Sequence, residues 1–101
     1  MRVRWSRYAA TQLLEAVAYL EQERPGAGSR LHGKVREIVD LLRAHARVFP
    51  RVPGIDEGEV RRALTGRRGH WLIFEIDERA GEVVILALWH SRRRPRGWGR
   101  R

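Results

Sequence analysis

The stretch LALWHSRRRPRGW, Leu86 to Trp98, ends an apolar run on a histidine and follows it with arginines almost back to back. An imidazole titrates near pH ~6.5, so His90 can accept or donate a proton at neutral pH. Guanidinium groups at Arg92, Arg93, Arg94 and Arg96 could hold phosphates or carboxylates through charge-assisted hydrogen bonds. Three roles are open to His90: a hydrogen bond to a backbone carbonyl that orders the strand end, contact with a target, or proton transfer. The arginine run is open between a solvated tail and a docked surface, and Pro95 and Trp98 give it apolar anchors that a solvating tail does not need. Arg67 and Arg68, in a turn between two glycines, read as solvated. No metal site is expected, because His32, His45, His70 and His90 form no ligand spacing and cysteine is absent. No glycine motif opens a helix after a strand, so a phosphate-cradling loop is excluded and no cofactor is expected.

The formal charge of +9 on 101 residues is unevenly spread. Residues 1–58 carry ten Lys/Arg against seven Asp/Glu, a net of +3; residues 59–101 carry eleven against five, a net of +6. From His90 onward there are six arginines and no acid, a field that attracts polyanions or an acidic protein partner. A chain of this length buries roughly two-thirds of its unfolded surface, enough for one domain spanning 1–101 with a basic tail from about residue 90. The 43% apolar and 33% charged content suits a compact soluble protein. No apolar run approaches the ~20 residues of a bilayer span, and MRVRWSRY lacks an apolar signal region, so no membrane association is expected. Without cysteine, a reducing cytoplasm is the natural location.

These residues need elements to position them. RVRW (Arg2–Trp5) alternates charged and apolar residues as a half-buried strand does, and Ser6 stands where a helix N-cap should. Ala10, Leu13, Leu14, Val17 and Leu20 then recur at helical spacing until Pro25 and Gly26 stop the helix. A second helix is expected at about Ala27–Ala46, carried by Leu31, Val35, Ile38, Val39 and Leu42. Phe49–Gly58 reads as an ordered loop. Three strand-like runs close the chain: EVRRAL, HWLIFEI and EVVILALWH. In the second run Trp71, Ile73 and Glu75 alternate with Leu72, Phe74 and Ile76. In the third, plain alternation sets Val83, Ile85, Ala87 and Trp89 against Val84, Leu86 and Leu88. Both of its faces are apolar, so it should be a central strand covered on one side by the helices. The expectation is an α+β fold with a helical hairpin on an antiparallel meander.

The order of these elements, together with VRRAL, GHWLIFEID and GEVVILALWHSRR, resembles the ParE/RelE superfamily of bacterial toxins from toxin–antitoxin pairs. It is more similar to the ParE, or plasmid-stabilisation, branch than to RelE itself. VRWSRYAATQLLEAVAYLEQERPGAG is similar to that branch's first strand and helix, FPRVPGI sits at its pre-strand loop, and WHSRR is close to a His-x-Arg-Arg ending. The resemblance implies a β-α-α-β-β-β fold and a basic protein whose free form halts growth. It implies a cognate antitoxin that forms a hetero-oligomer with the toxin and wraps it across helices and sheet. ParE-like members poison DNA gyrase without known hydrolysis, whereas RelE-like members cut mRNA in the ribosomal A site.

Cutting RNA through its own 2′-hydroxyl needs a proton acceptor, a proton donor and cations on the phosphate. By resemblance, a ribonuclease here would use Arg61, Arg62, His90 and Arg92 or Arg93. Two departures weigh against it. Trp71 stands where RelE-like enzymes carry a phosphate-contacting arginine, and no tyrosine follows Tyr19. The resemblance therefore implies a gyrase poison whose target contacts are His90, Arg92, Arg93, Arg94, Arg96 and Trp98. An mRNA interferase is the alternative, and a basic binding module without toxicity a third reading. Trp5, Trp71 and Trp89 could stack on bases, but their strand positions suit core or antitoxin-groove packing. Leu13, Val17, Leu20, Trp71 and Trp89 are the expected antitoxin contacts, although the helical stripe with Leu31, Val35 and Ile38 also reads as core.

Overall fold

A computed structural model describes residues 1–92 of the chain. The elements are β1 (Arg2–Trp5), α1 (Arg7–Glu23), α2 (Ala27–His45), a short 3₁₀ turn (Ala46–Val48), β2 (Val60–Leu64), β3 (His70–Asp77) and β4 (Glu82–His90). The sheet order is β1-β4-β3-β2. β2, β3 and β4 form the expected antiparallel meander, while β1 lies parallel to β4, so the sheet is mixed. The loop after the helices explains the direction. It runs antiparallel beside β2, with Arg51 bridging Arg61, and this extra reversal leaves β2 and β4 pointing the same way as β1.

Ser6 caps α1 as its residue type dictates, its Oγ accepting the Ala9 amide at 3.1 Å. The inward stripe of α2 is the one that spacing gave: Leu31, Val35, Ile38 and Leu42 are all buried. On α1 the outcome is different for one residue. Leu14 is 72% exposed, because its position lies about a quarter-turn outside the stripe set by Ala9, Leu13, Ala16 and Leu20. The helices cover a main core that includes Leu72, Phe74, Val83 and Ile85. A second cluster, Val60, Ile73, Val84, Leu86 and Ala87, lies on the other sheet face, where Val52 and Ile55 of the long loop pack against it. β4 is thus central and buried on both sides, as expected.

Plain alternation fails along β4, however. Phe74 pairs with Ile85 and Ile73 with Ala87, which leaves Leu86 as an extra residue in a β-bulge. The bulge resets the faces: Leu88 joins Val83 and Ile85 in the main core, while Leu86, Ala87 and Trp89 belong with Val84. The start of α1 secures it. The Ser6 amide donates to the Ile85 carbonyl, Ser6 Oγ donates to the Leu86 carbonyl, and Gln12 Oε1 accepts the Leu88 amide at 2.8 Å.

The helical hairpin is held by one carboxylate and one absent side chain. Glu21 accepts the amides of Gly26 and Gly28 at 2.9 and 3.0 Å, bonds that hold its carboxyl below the usual range. Gly28 lies against α1 so closely that a Cβ would sit 2.5 Å from the Val17 carbonyl oxygen. Gly33, further along the same helix, faces open space. The same substitution should therefore have opposite signs. Gly28→Ala should destabilise by about 1–3 kcal/mol through overpacking, whereas Gly33→Ala should stabilise by about 0.5–1 kcal/mol through helix propensity. Urea unfolding checks both, and equal stabilisation by the two would contradict the close helix approach.

Candidate functional site

The bulge brings His90 to the helix side of the sheet, opposite its strand partner His70, with the rings edge to face at 5.2 Å. The His90 Nδ1 accepts the Arg92 backbone amide at 3.1 Å and so caps the turn that ends β4. In this bond the ring is the acceptor, the reverse of a bond given to a backbone carbonyl. Beside the two histidines runs a groove of about 570 Å³ between α1 and the end of β4, lined among others by Gln12, Tyr19, Leu20 and Leu88. Sequence reading did not single out Gln12 or Tyr19. A signal was there for Gln12, a polar residue bordering the apolar stripe of Ala9, Leu13 and Ala16.

Arg61 and Arg62 are neighbours in sequence but not in space. Successive strand residues face opposite ways. Arg61 pairs in register with Phe74 of the main core, and Arg62 with Ile73 of the second cluster. Arg61 is consumed locally, donating to Glu59 at 3.0 Å and to the Phe49 carbonyl at 2.6 Å. Arg47 from the 3₁₀ turn also donates to Glu59, at 2.8 Å, and to Glu78, at 2.9 Å. Arg47 and then Arg61 hold the Glu59 carboxyl below the usual carboxylate range, and Glu59 together with Glu78 raises the Arg47 guanidinium. Arg62 has a different environment. Its guanidinium carbon lies 4.2 Å from the centre of the Trp71 ring, and its buried Nε finds no acceptor among the described residues.

Trp71 and Trp89 are register partners on the face away from the helices, both half-buried, and Trp89 also reaches the rim of the groove. Trp5, Leu13, Val17 and Leu20 are half-buried against the main core, Leu20 alone of them also lining the groove. Arg92 is exposed in the final turn. Arg93, Arg94, Arg96 and Trp98 lie outside the described residues. The structure therefore gathers Arg62, Trp71 and Trp89 on one face and His90 with the groove on the other, and does not join His90 to Arg61 or Arg62. Among the described residues no three His, Asp or Glu side chains are grouped to hold a metal ion, and no helix is long and apolar enough to cross a membrane.

The model of the ParE toxin of the type II toxin–antitoxin system parDE matches residues 3–95. The chain belongs to the ParE toxin family. Membership makes it a toxin of a type II toxin–antitoxin system and implies an antitoxin partner. The ParE fold is also that of a solved structure described as the chromosomal ParDE toxin–antitoxin system from P. aeruginosa. The two share a TM-score of 0.71 at 22% identity, over 89% of this chain and 95% of that one. No curated protein matches the chain.

In this ParE-family chain the Arg47–Glu59–Arg61 cluster ties the helical layer to the edge of the sheet, and it should show in acid. Glu59 has a folded pKa below its unfolded value, so its contribution is present at neutral pH and lost as pH falls through the folded value. Glu59→Gln should cost about 1–2 kcal/mol at neutral pH, with the gap to the parent closing in acid. Chemical denaturation across pH checks this, and a gap that stayed constant into strong acid would contradict it.

Proposed function

We propose that this ParE-family toxin halts growth by stalling DNA gyrase through a binding surface, without cleaving RNA, and that a cognate antitoxin neutralises it in a hetero-oligomer. The observation that carries the reading is the dispersal of Arg61, Arg62 and His90, groups that phosphodiester cleavage would need together, among the described residues. A base, an acid and the phosphate cations must act on one scissile phosphate within hydrogen-bond reach. Here Arg61 is spent on Glu59 and Phe49, Arg62 lies on Trp71 on one sheet face, and His90 stands on the other with Nδ1 occupied. Trp71 takes the place where the RelE-like branch has an arginine, and no tyrosine follows Tyr19.

The antitoxin reading is supported by the apolar surface along α1. Tyr19 is largely exposed and lines the groove together with Leu20 and Leu88. An amphipathic segment could bury these side chains, and a net charge of +9 favours an acidic one. His90, Arg92 and the arginines that follow are the proposed target contacts.

The test is a pair of reactions on the purified full chain. With gyrase and supercoiled plasmid it should accumulate cleaved DNA trapped on the enzyme, and with programmed ribosomes it should leave mRNA intact. Cleavage of ribosome-bound mRNA, abolished by His90→Ala, would overturn the proposal in favour of an mRNA interferase. Inactivity in both assays, with no growth arrest when the chain is expressed alone, would make it a binding module.

A further inference from the structure

The sheet ends on a pair of imidazoles. His70 opens β3 and His90 closes β4, and they are register partners with their rings edge to face at 5.2 Å. His70 is buried and His90 half-buried. The backbone turns on either side of them are held mostly by groups that do not titrate. The Thr65 amide donates to the His70 carbonyl, the His70 amide to Thr65 Oγ1, and the Ser91 amide to the Gly69 carbonyl, all at 2.9 Å. One bond differs. The Arg92 amide donates to His90 Nδ1 at 3.1 Å, so its acceptor is a ring nitrogen that can take a proton.

That bond fixes the state of the ring. A nitrogen that accepts an N–H keeps its lone pair, so His90 is neutral and carries its proton on Nε2. The span matches the one across which Asn and Asp side chains accept the amide two residues on and close a turn. Here the same task falls to an imidazole, the side chain whose charge changes between about pH 5 and 8. A proton on Nδ1 makes the acceptor a donor that faces the Arg92 N–H, and the bond is lost. Among the described residues, Glu15 and Tyr19 of α1 line the groove with the two histidines, and Arg67 and Arg68 stand in the adjoining turn. Glu15 favours an imidazolium, whereas Arg92, the turn arginines and a charged His70 oppose it. The balance of these groups biases the ring's charge, but the proton has the same effect on the bond whatever that balance is.

We propose that His90 is a pH-sensitive latch on the turn after β4. The neutral ring holds the Arg92 amide and closes the turn; the imidazolium releases it. The contact belongs to the neutral form, so it is present on the alkaline side of the imidazole range and lost as pH falls. Arg92 is exposed and His90 lines the groove, so acid alters the rim of the groove. The latch works whichever target the toxin stalls.

Nuclear magnetic resonance of the isotope-labelled full chain tests the proposal. At about pH 8 the ring nitrogens should show the His90 proton on Nε2. The Arg92 amide should then exchange about tenfold more slowly than in an unstructured chain at the same pH, as one hydrogen bond requires. At about pH 5 that protection should be gone, while the Ser91 amide stays protected by the Gly69 carbonyl. His90→Asn should keep the Arg92 amide protected under both conditions, because an Asx turn supplies an acceptor that does not titrate. His90→Phe should leave it unprotected under both. A His90 proton on Nδ1 in the alkaline sample would overturn the proposal, as would equal Arg92 protection in acid and alkali. Loss of protection in acid that persists in His90→Asn would also overturn it, by assigning the titration to another group. The ring and exchange measurements on the unaltered chain stand even if a variant fails to fold.

Discussion

Between Ile85 and Ala87 the central strand holds one residue more than its neighbour, and every side chain beyond that point faces the side opposite to the one alternation dictates. An unpaired strand residue leaves backbone groups to satisfy, and in a strand buried on both faces water cannot do it. Ser6 and Gln12, one turn and a half apart at the start of α1, supply the bonds. The first helix, the end of β1 and the central strand are thereby locked together by a few polar contacts. The consequences reach the candidate site. His90 comes to the groove beside α1, and Trp89 comes to the face away from the helices beside Trp71 and Arg62.

The second organising constraint is electrostatic. A chain with a net charge of +9 folds against its own repulsion, which ion pairs such as those of Arg47 and Arg61 with Glu59 and Glu78 offset in part. The acids of the sheet gather at one end, where Arg47 bridges Glu59 and Glu78 and links the 3₁₀ turn to β2 and the β3–β4 turn. At the other end Arg62 lies on the Trp71 ring, and Arg67, Arg68 and Arg92 are exposed.

Much of this could be read from the sequence because it rests on local rules. Ser6 as an N-cap, the α2 stripe of Leu31, Val35, Ile38 and Leu42, and the three strand-like runs follow from residue type and period alone. The family resemblance rested on the order of those elements, and the match over residues 3–95 agrees with it. The features that could not be read depend on contacts distant in sequence. No period announces a bulge at Leu86, whose backbone partners lie about 80 residues away. Adjacent arginines such as Arg61 and Arg62 look like one cluster in the sequence, yet the strand pleat sends them to opposite faces with different partners. The parallel pairing of β1 with β4 likewise depends on the path of the long loop, which composition does not reveal.

The central claim, a toxin that acts by binding rather than by cutting RNA, is tested most directly by the order in which syntheses fail. DNA, RNA and protein synthesis would be followed by pulse labelling in the same cells after the chain is induced without its antitoxin. An early fall in DNA synthesis, with protein synthesis sustained at first, is the predicted result. Protein synthesis failing first would contradict it.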